Sequence, residues 1–131
     1  MKKRLVIAGF ILALAAPAGG QRPALAMLDN LDSGRWELRV RDGAPGVERL
    51  CLRDGRGLIQ LRHPALNCER LIVSDADTQV TVQYTCRGRG FGRTQIRRES
   101  SRLVQIDTQG IADGVPFAFV AEARRVSDCA G

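Results

Sequence analysis

Lysine is absent after Lys3, histidine, tryptophan and tyrosine occur once each, and aromatic residues make up only 5% of the 131-residue chain. Without lysine beyond the first few residues, Schiff-base chemistry and a low-pKa amine base have no source. One histidine, His63, and no serine in a Gly-x-Ser-x-Gly context leave no nucleophile and base that the sequence pairs. The four cysteines form no CxxC pair, the spacing on which most zinc sites depend. No apolar run approaches the roughly twenty residues that cross a bilayer. Repeats and low-complexity linkers are missing too, so the chain reads as one small domain.

What is present begins at the N-terminus. Met1-Lys2-Lys3-Arg4 is basic, Leu5 to Ala16 is an unbroken apolar run, and Ala16-Pro17-Ala18 and Ala24-Leu25-Ala26 are small-x-small signatures. That is the layout of a cleaved secretory leader. Ala26-Met27 carries the cleaner signature, whereas Ala18-Gly19 lies closer to the apolar run. With the first taken, residues 1–26 are leader, 27–33 a flexible lead-in and 34–131 the domain. No cysteine follows either site to carry a lipid, and Lys3-Arg4 is not a twin-arginine pair. The expected address is the periplasm of a Gram-negative bacterium, or the medium, where cysteines pair. Cleavage there removes Lys2, Lys3, Arg4 and Arg22, four positive charges, so the formal +6 of the whole chain becomes +2. A mild excess of that size does not make the clustered basic surface that nucleic acid requires. The mature form is expected to be a monomer with no membrane span.

Period-two alternation dominates the rest. Trp36, Leu38 and Val40 alternate with Arg35, Glu37, Arg39 and Arg41, and Asp42 to Gly46 turns the chain into Val47–Leu52. Arg53 to Asn67 is irregular, with one or two helical turns before Pro64. Cys68–Ser74 and Gln79–Cys86 flank a turn at Asp75–Thr78. A glycine-rich turn, Arg87–Gly92, leads to Arg93–Glu99, then Arg102–Gln109 and Phe117–Val126. The last is apolar on both faces and should be central. The expected fold is all-β: a single antiparallel, curved sheet of about seven strands, as a partly closed barrel or sandwich.

Cys51, Cys68, Cys86 and Cys129 are spaced by 17, 18 and 43 positions. Folding Cys68–Cys86 about Asp77 sets these two cysteines opposite each other, about 4.5 Å apart if they occupy a non-hydrogen-bonded pair. Cys51–Cys129 then remains. The pairing Cys51–Cys68 with Cys86–Cys129 is the rival.

His63, in Leu61-Arg62-His63-Pro64, reads as a solvated loop histidine before a catalytic one. Asp75 and Asp77 read as turn residues rather than cation ligands. Arg87-Gly88-Arg89-Gly90-Phe91-Gly92-Arg93 resembles an RNA-binding box only in composition; its glycines suit a tight connection. Trp36 is expected as a core anchor.

Gly34-Arg35-Trp36-Glu37, Cys51-Leu52, the strand-borne Cys68 and Cys86, and the closing Arg125-Val126-Ser127-Asp128-Cys129 together resemble the exported bacterial family catalogued as domain of unknown function 3617. That family more often has glycine at the place of Ser127. The resemblance implies a periplasmic β domain with two disulfides and no assigned activity, and it brings no catalytic residues. The expected function is a non-catalytic binding or envelope-support domain without cofactor or metal, its partner an envelope protein or a lipid-like ligand. Three alternatives accompany it. A carrier of apolar ligands would use an open concave face lined by Trp36, Tyr84, Phe117 and Phe119. An inhibitor would present the Arg53–Asn67 loop. A small hydrolase would use His63.

Overall fold

The structure, a computed structural model, describes residues 22–42 and 46–130. Residues 1–21, which include most of the expected leader, the hairpin tip at 43–45 and Gly131 lie outside the described residues.

Strands form where the period-two pattern placed them. They are β1 (Gly34–Asp42), β2 (Gly46–Leu52), β3 (Glu69–Asp75), β4 (Gln79–Cys86), β5 (Gly90–Ser100), β6 (Leu103–Ala112) and β7 (Val115–Ser127). All pair antiparallel in one sheet of order β2-β1-β7-β6-β5-β4-β3. The sheet does not close into a barrel: β2 and β3 are its two edges. β7, apolar on both faces, lies between β1 and β6 as expected. From β3 to β7 the chain is a meander of short turns, each carrying the residues a turn needs. Asp113 and Gly114 both take positive φ between β6 and β7, a conformation that costs glycine nothing.

One face of the sheet is the core. Trp36, Leu38, Val80, Val82, Tyr84, Ile96, Val104, Ile106, Ala121 and Ala123 are all buried on it. Its cover is the chain's own irregular stretch. A short helix, α1 (Ala26–Asp29), and a 3-10 turn, Gly55–Leu58, lie against each other and supply Leu25, Met27, Leu28, Leu31, Leu58 and Ile59 to the same cluster. Asp54 caps the 3-10 turn, its carboxylate accepting from Arg56 N–H at 2.8 Å. Gly55 has to be glycine here, because a Cβ would come within 2.7 Å of the Leu28 carbonyl oxygen.

Two expectations about flanking segments are corrected. Residues 27–33 are not a flexible lead-in, since Met27, Leu28 and Leu31 are buried. Their removal from water is worth about 1.5–3 kcal/mol each, and that outweighs the freedom of a loose tail. Polar bonds hold the same segment: Trp36 Nε1 donates to the Asp32 carbonyl at 3.0 Å and Asp32 N–H donates to the Ser101 carbonyl at 2.9 Å. Likewise, the Arg53–Asn67 stretch is not held out toward solvent but lies on the sheet.

The cysteines pair as the hairpin geometry favoured, not in the rival arrangement. Cys68 and Cys86 are bridged with Cα atoms 4.4 Å apart, and Cys51 and Cys129 with Cα atoms 5.7 Å apart. No cysteine is free. The two bridges fit an oxidising compartment. Among the described residues, no helix is long and apolar enough to cross a membrane.

Candidate functional site

The inner face gathers most residues that sequence reasoning singled out, and it uses them for packing. Trp36 is 1% exposed and lies at the end of the sheet near α1. Tyr84, Phe117 and Phe119 form a separate group around His63, whose ring meets Tyr84 edge-on at 5.3 Å and Phe117 at 6.1 Å. Arg62 extends its guanidinium over the Phe119 ring, 4.3 Å from the centroid, and pairs with Glu48 at 3.1 Å. The proposed ligand face of Trp36, Tyr84, Phe117 and Phe119 is therefore corrected. It is not an open concavity, because α1 and residues 53–67 occupy it.

His63 is corrected as well. It is 3% exposed, not solvated, with Nε2 3.1 Å from the Arg89 carbonyl and Nδ1 2.9 Å from the Tyr84 hydroxyl. A carbonyl can only accept, so Nε2 carries a hydrogen, and in the uncharged ring Nδ1 accepts from Tyr84. Both nitrogens are thus spent on holding the loop to the sheet. Burial pushes the Tyr84 hydroxyl pKa above its ordinary 10.0, against the opposing pull of Arg62. Room for Tyr84 comes from Gly92, where a Cβ would stand 2.5 Å from Tyr84 Cζ.

The rest of the loop is fastened in the same way. Gln60 Nε2 donates to the His63 and Leu66 carbonyls at 2.8 and 2.7 Å, and its Oε1 accepts from Arg70. Thr94 Oγ1 donates to the Ile59 carbonyl at 2.6 Å and lies 2.7 Å from Thr108 Oγ1. Every buried side-chain nitrogen and oxygen among the described residues has a partner. No inward-aimed polar group there awaits a ligand.

Asp75 and Asp77 do not serve their own turn. Asp75 accepts from Leu25 N–H at 2.8 Å, and both carboxylates pair with Arg22. The arginine-glycine turn is shorter than expected: Gly88 has positive φ within it, whereas Gly90, also of positive φ, already begins β5, where a Cβ would strike the Ile111 carbonyl oxygen. Arg89 reaches from it to Asp113 at the tip of the next hairpin, 2.6 Å away, and that hydrogen bond holds the Asp113 carboxyl below its usual range. Among the described residues, no group of three or more His, Cys, Asp or Glu side chains converges as a metal centre.

The surface left over is at the sheet's far edge. All seven residues of β3 are exposed, including the consecutive Leu71, Ile72 and Val73, with Leu71 at 64%. Cross-strand register puts Glu69, Thr85, Phe91, Ile111 and Pro116 in one row and Leu71, Gln83 and Arg93 in the next, on the outer face. Phe91 is 49% exposed. A depression of about 420 Å³ lies among Glu69, Leu71, Gln83, Thr85 and Phe91. Another of about 590 Å³ adjoins it through Glu69 and Thr85, past Asn67, Cys68 and Arg87. Read locally, Cys68–Ser74 is an ordinary strand with nothing to set it apart as a binding edge. The signal was three consecutive apolar residues without alternation, a pattern shared with fully buried strands.

No family model, no curated protein and no solved structure matches the chain.

Proposed function

We propose that this is a non-catalytic, exported β domain of the kind the resemblance to domain of unknown function 3617 implies, and that it receives an extended segment of an envelope protein along β3. The observation that carries the reading is the exposure of all seven β3 residues at an unpaired sheet edge. The outer row of N–H and C=O groups on an edge strand is a template for one more strand. Leu71 and Phe91 border the depression beside it, so alternate side chains of an added segment would find apolar contacts on the outer face. A partner other than a second copy is favoured by charge and shape. Antiparallel self-pairing centred on Ile72 would set Glu69 against Asp75 of the other copy, and the bulge between Ile72 and Ser74 interrupts a regular ladder. A carrier of lipid-like ligands would need the inner face, which α1 and residues 53–67 already cover. A hydrolase would need His63 free, and both of its nitrogens are engaged.

The test is a photo-crosslinking amino acid at position 71 in the exported protein in intact cells, with position 95 as control. A discrete protein adduct at 71, absent at 95 and abolished by Ile72→Lys with Val73→Lys, is expected. No adduct at 71, or equal labelling at both positions, overturns the reading.

A further inference from the structure

We infer that the leader is cut between Ala18 and Gly19, not after Ala26, and that the mature chain keeps Arg22 to Ala26 as a working part of its fold. Both bonds follow small-x-small signatures, so the discrimination has to come from what each cut does to the folded product.

Cutting after Ala26 would sever the chain at the first residue of α1. Leu25, 2% exposed within the core cluster, would be lost with the leader. So would the acceptors of three helix-closing bonds, the Leu25 carbonyl for Leu28 N–H at 3.0 Å and Asp29 N–H at 3.4 Å, and the Ala26 carbonyl for Asn30 N–H at 3.1 Å. The new ammonium would sit on Met27, whose side chain belongs to the core cluster. Contacts that reach back across the fold would go too. Leu25 N–H donates to Asp75 at 2.8 Å, the Ala24 carbonyl accepts from Arg56 Nη2 at 2.7 Å, and Arg22 pairs with Asp77 at 2.6 Å. Asp75 and Arg56 lie on different elements of the domain, so the segment from Arg22 to Leu25 is bound at both of its flanks.

Cutting after Ala18 removes none of this. Ala16-Pro17-Ala18 presents small residues at the first and third positions before the bond, and it ends two residues beyond the apolar run rather than ten. Hydrolysis breaks the Ala18–Gly19 C–N bond; water supplies hydroxide to the Ala18 carboxyl and a proton to the Gly19 amine. The agent is a leader peptidase that accepts small side chains. The new N-terminus then lies three positions before Arg22 in the chain.

The inference rests on the export reading, and fractionation with intact mass separates the two. Export with a mass matching residues 19–131 and two disulfides is expected. An exported chain beginning at Met27 overturns the cleavage inference alone, and a cytosolic chain with its leader intact overturns both. Ala18→Arg should accumulate precursor, whereas Ala26→Arg should be processed normally; the reverse pattern overturns the proposal. A third measurement does not depend on the peptidase. Exported behind a foreign leader, a chain starting at Met27 should melt on the order of 10 °C below one starting at Gly19. Equal melting temperatures would show that residues 19–26 contribute nothing.

Discussion

Single residues in this protein are committed to holding a loop onto a sheet, and His63 is the clearest case. Its local context, Leu61-Arg62-His63-Pro64, carries no trace of the Tyr84 hydroxyl or the Arg89 carbonyl that it meets 21 and 26 positions later in the chain. Hydrogen-bond partners supplied by distant strands are the part of a site that local sequence cannot show. Trp36, by contrast, was legible, because its apolar neighbours at two-residue spacing already placed it inward. Removing the Tyr84 hydroxyl leaves a buried ring nitrogen without its partner, so Tyr84→Phe should cost about 1–2 kcal/mol in urea unfolding. His63→Ala removes both bonds and the ring, and about 2–4 kcal/mol is expected. If the two losses simply add in the double variant, the pair is not coupled as described. Tyr84 also offers a direct optical check, being the sole tyrosine. Burial raises its folded pKa above 10.0, so the neutral hydroxyl favours the folded state and that contribution disappears as pH climbs through the raised value. Phenolate absorbance in the native protein should therefore develop at higher pH than in 8 M urea (a denaturant concentration on the order used for full unfolding). Coincident curves would mean an accessible hydroxyl.

At the level of elements, hairpins were readable and coverings were not. Asp113-Gly114, Asp75–Thr78 and the glycines after Cys86 announce reversals through local backbone preference, which a sequence states directly. Residues 24–31 carry no such statement. Small and apolar side chains near a leader look the same whether a peptidase removes them or a sheet buries them. What decides is contact with residues 52–59, a long-range fact. The Arg53–Asn67 stretch likewise reads as a loop for want of periodicity, although Leu58 and Ile59 are fully buried. The two coverings are joined by Arg56, whose Nε lies 2.7 Å from Asp29 Oδ1 and whose Nη2 lies 3.0 Å from Oδ2. That bidentate hydrogen bond holds the Asp29 carboxyl below its ordinary 3.8, as the Arg102 hydrogen bond does for Asp32. A carboxylate depressed in the folded state stabilises fully above its unfolded pKa, and the contribution is lost as pH falls through the lowered folded value. Thermal stability should hold from neutral pH to about 5 and decline below about 4. Asp29→Asn should be less stable at pH 7 and lose less on acidification. An identical acid limb in that variant would remove Asp29 from the account.

For the whole molecule, the two disulfides have unequal positions and should break in order. Cys51–Cys129 spans 78 positions and ties the outer edge strand β2 to the chain's end, with Cys51 exposed. Cys68–Cys86 spans 18 positions at the mouth of one hairpin, and Cys86 is buried at 3% with Gln60 Nε2 beside the Cys68 sulfur at 3.4 Å. Thiolate attack needs access to a sulfur, so mild reductant under native conditions should open Cys51–Cys129 first. Alkylation and peptide mass mapping would then find label on Cys51 and Cys129 while Cys68 and Cys86 stay paired. The longer closure also restrains the unfolded chain more, by about 4.5 kcal/mol against about 3 in the loop-entropy model. The singly reduced protein should accordingly keep its sheet but unfold at a distinctly lower urea concentration. The consequence reaches the proposed binding edge, since β3 lies at the end of the sheet opposite β2. Opening Cys51–Cys129 should loosen β2 and leave crosslinking from position 71 unchanged, whereas opening Cys68–Cys86 should abolish it. Label appearing first on Cys68 and Cys86, or crosslinking that falls with the first reduction step, would contradict this division of the molecule into an anchored edge and a presented one.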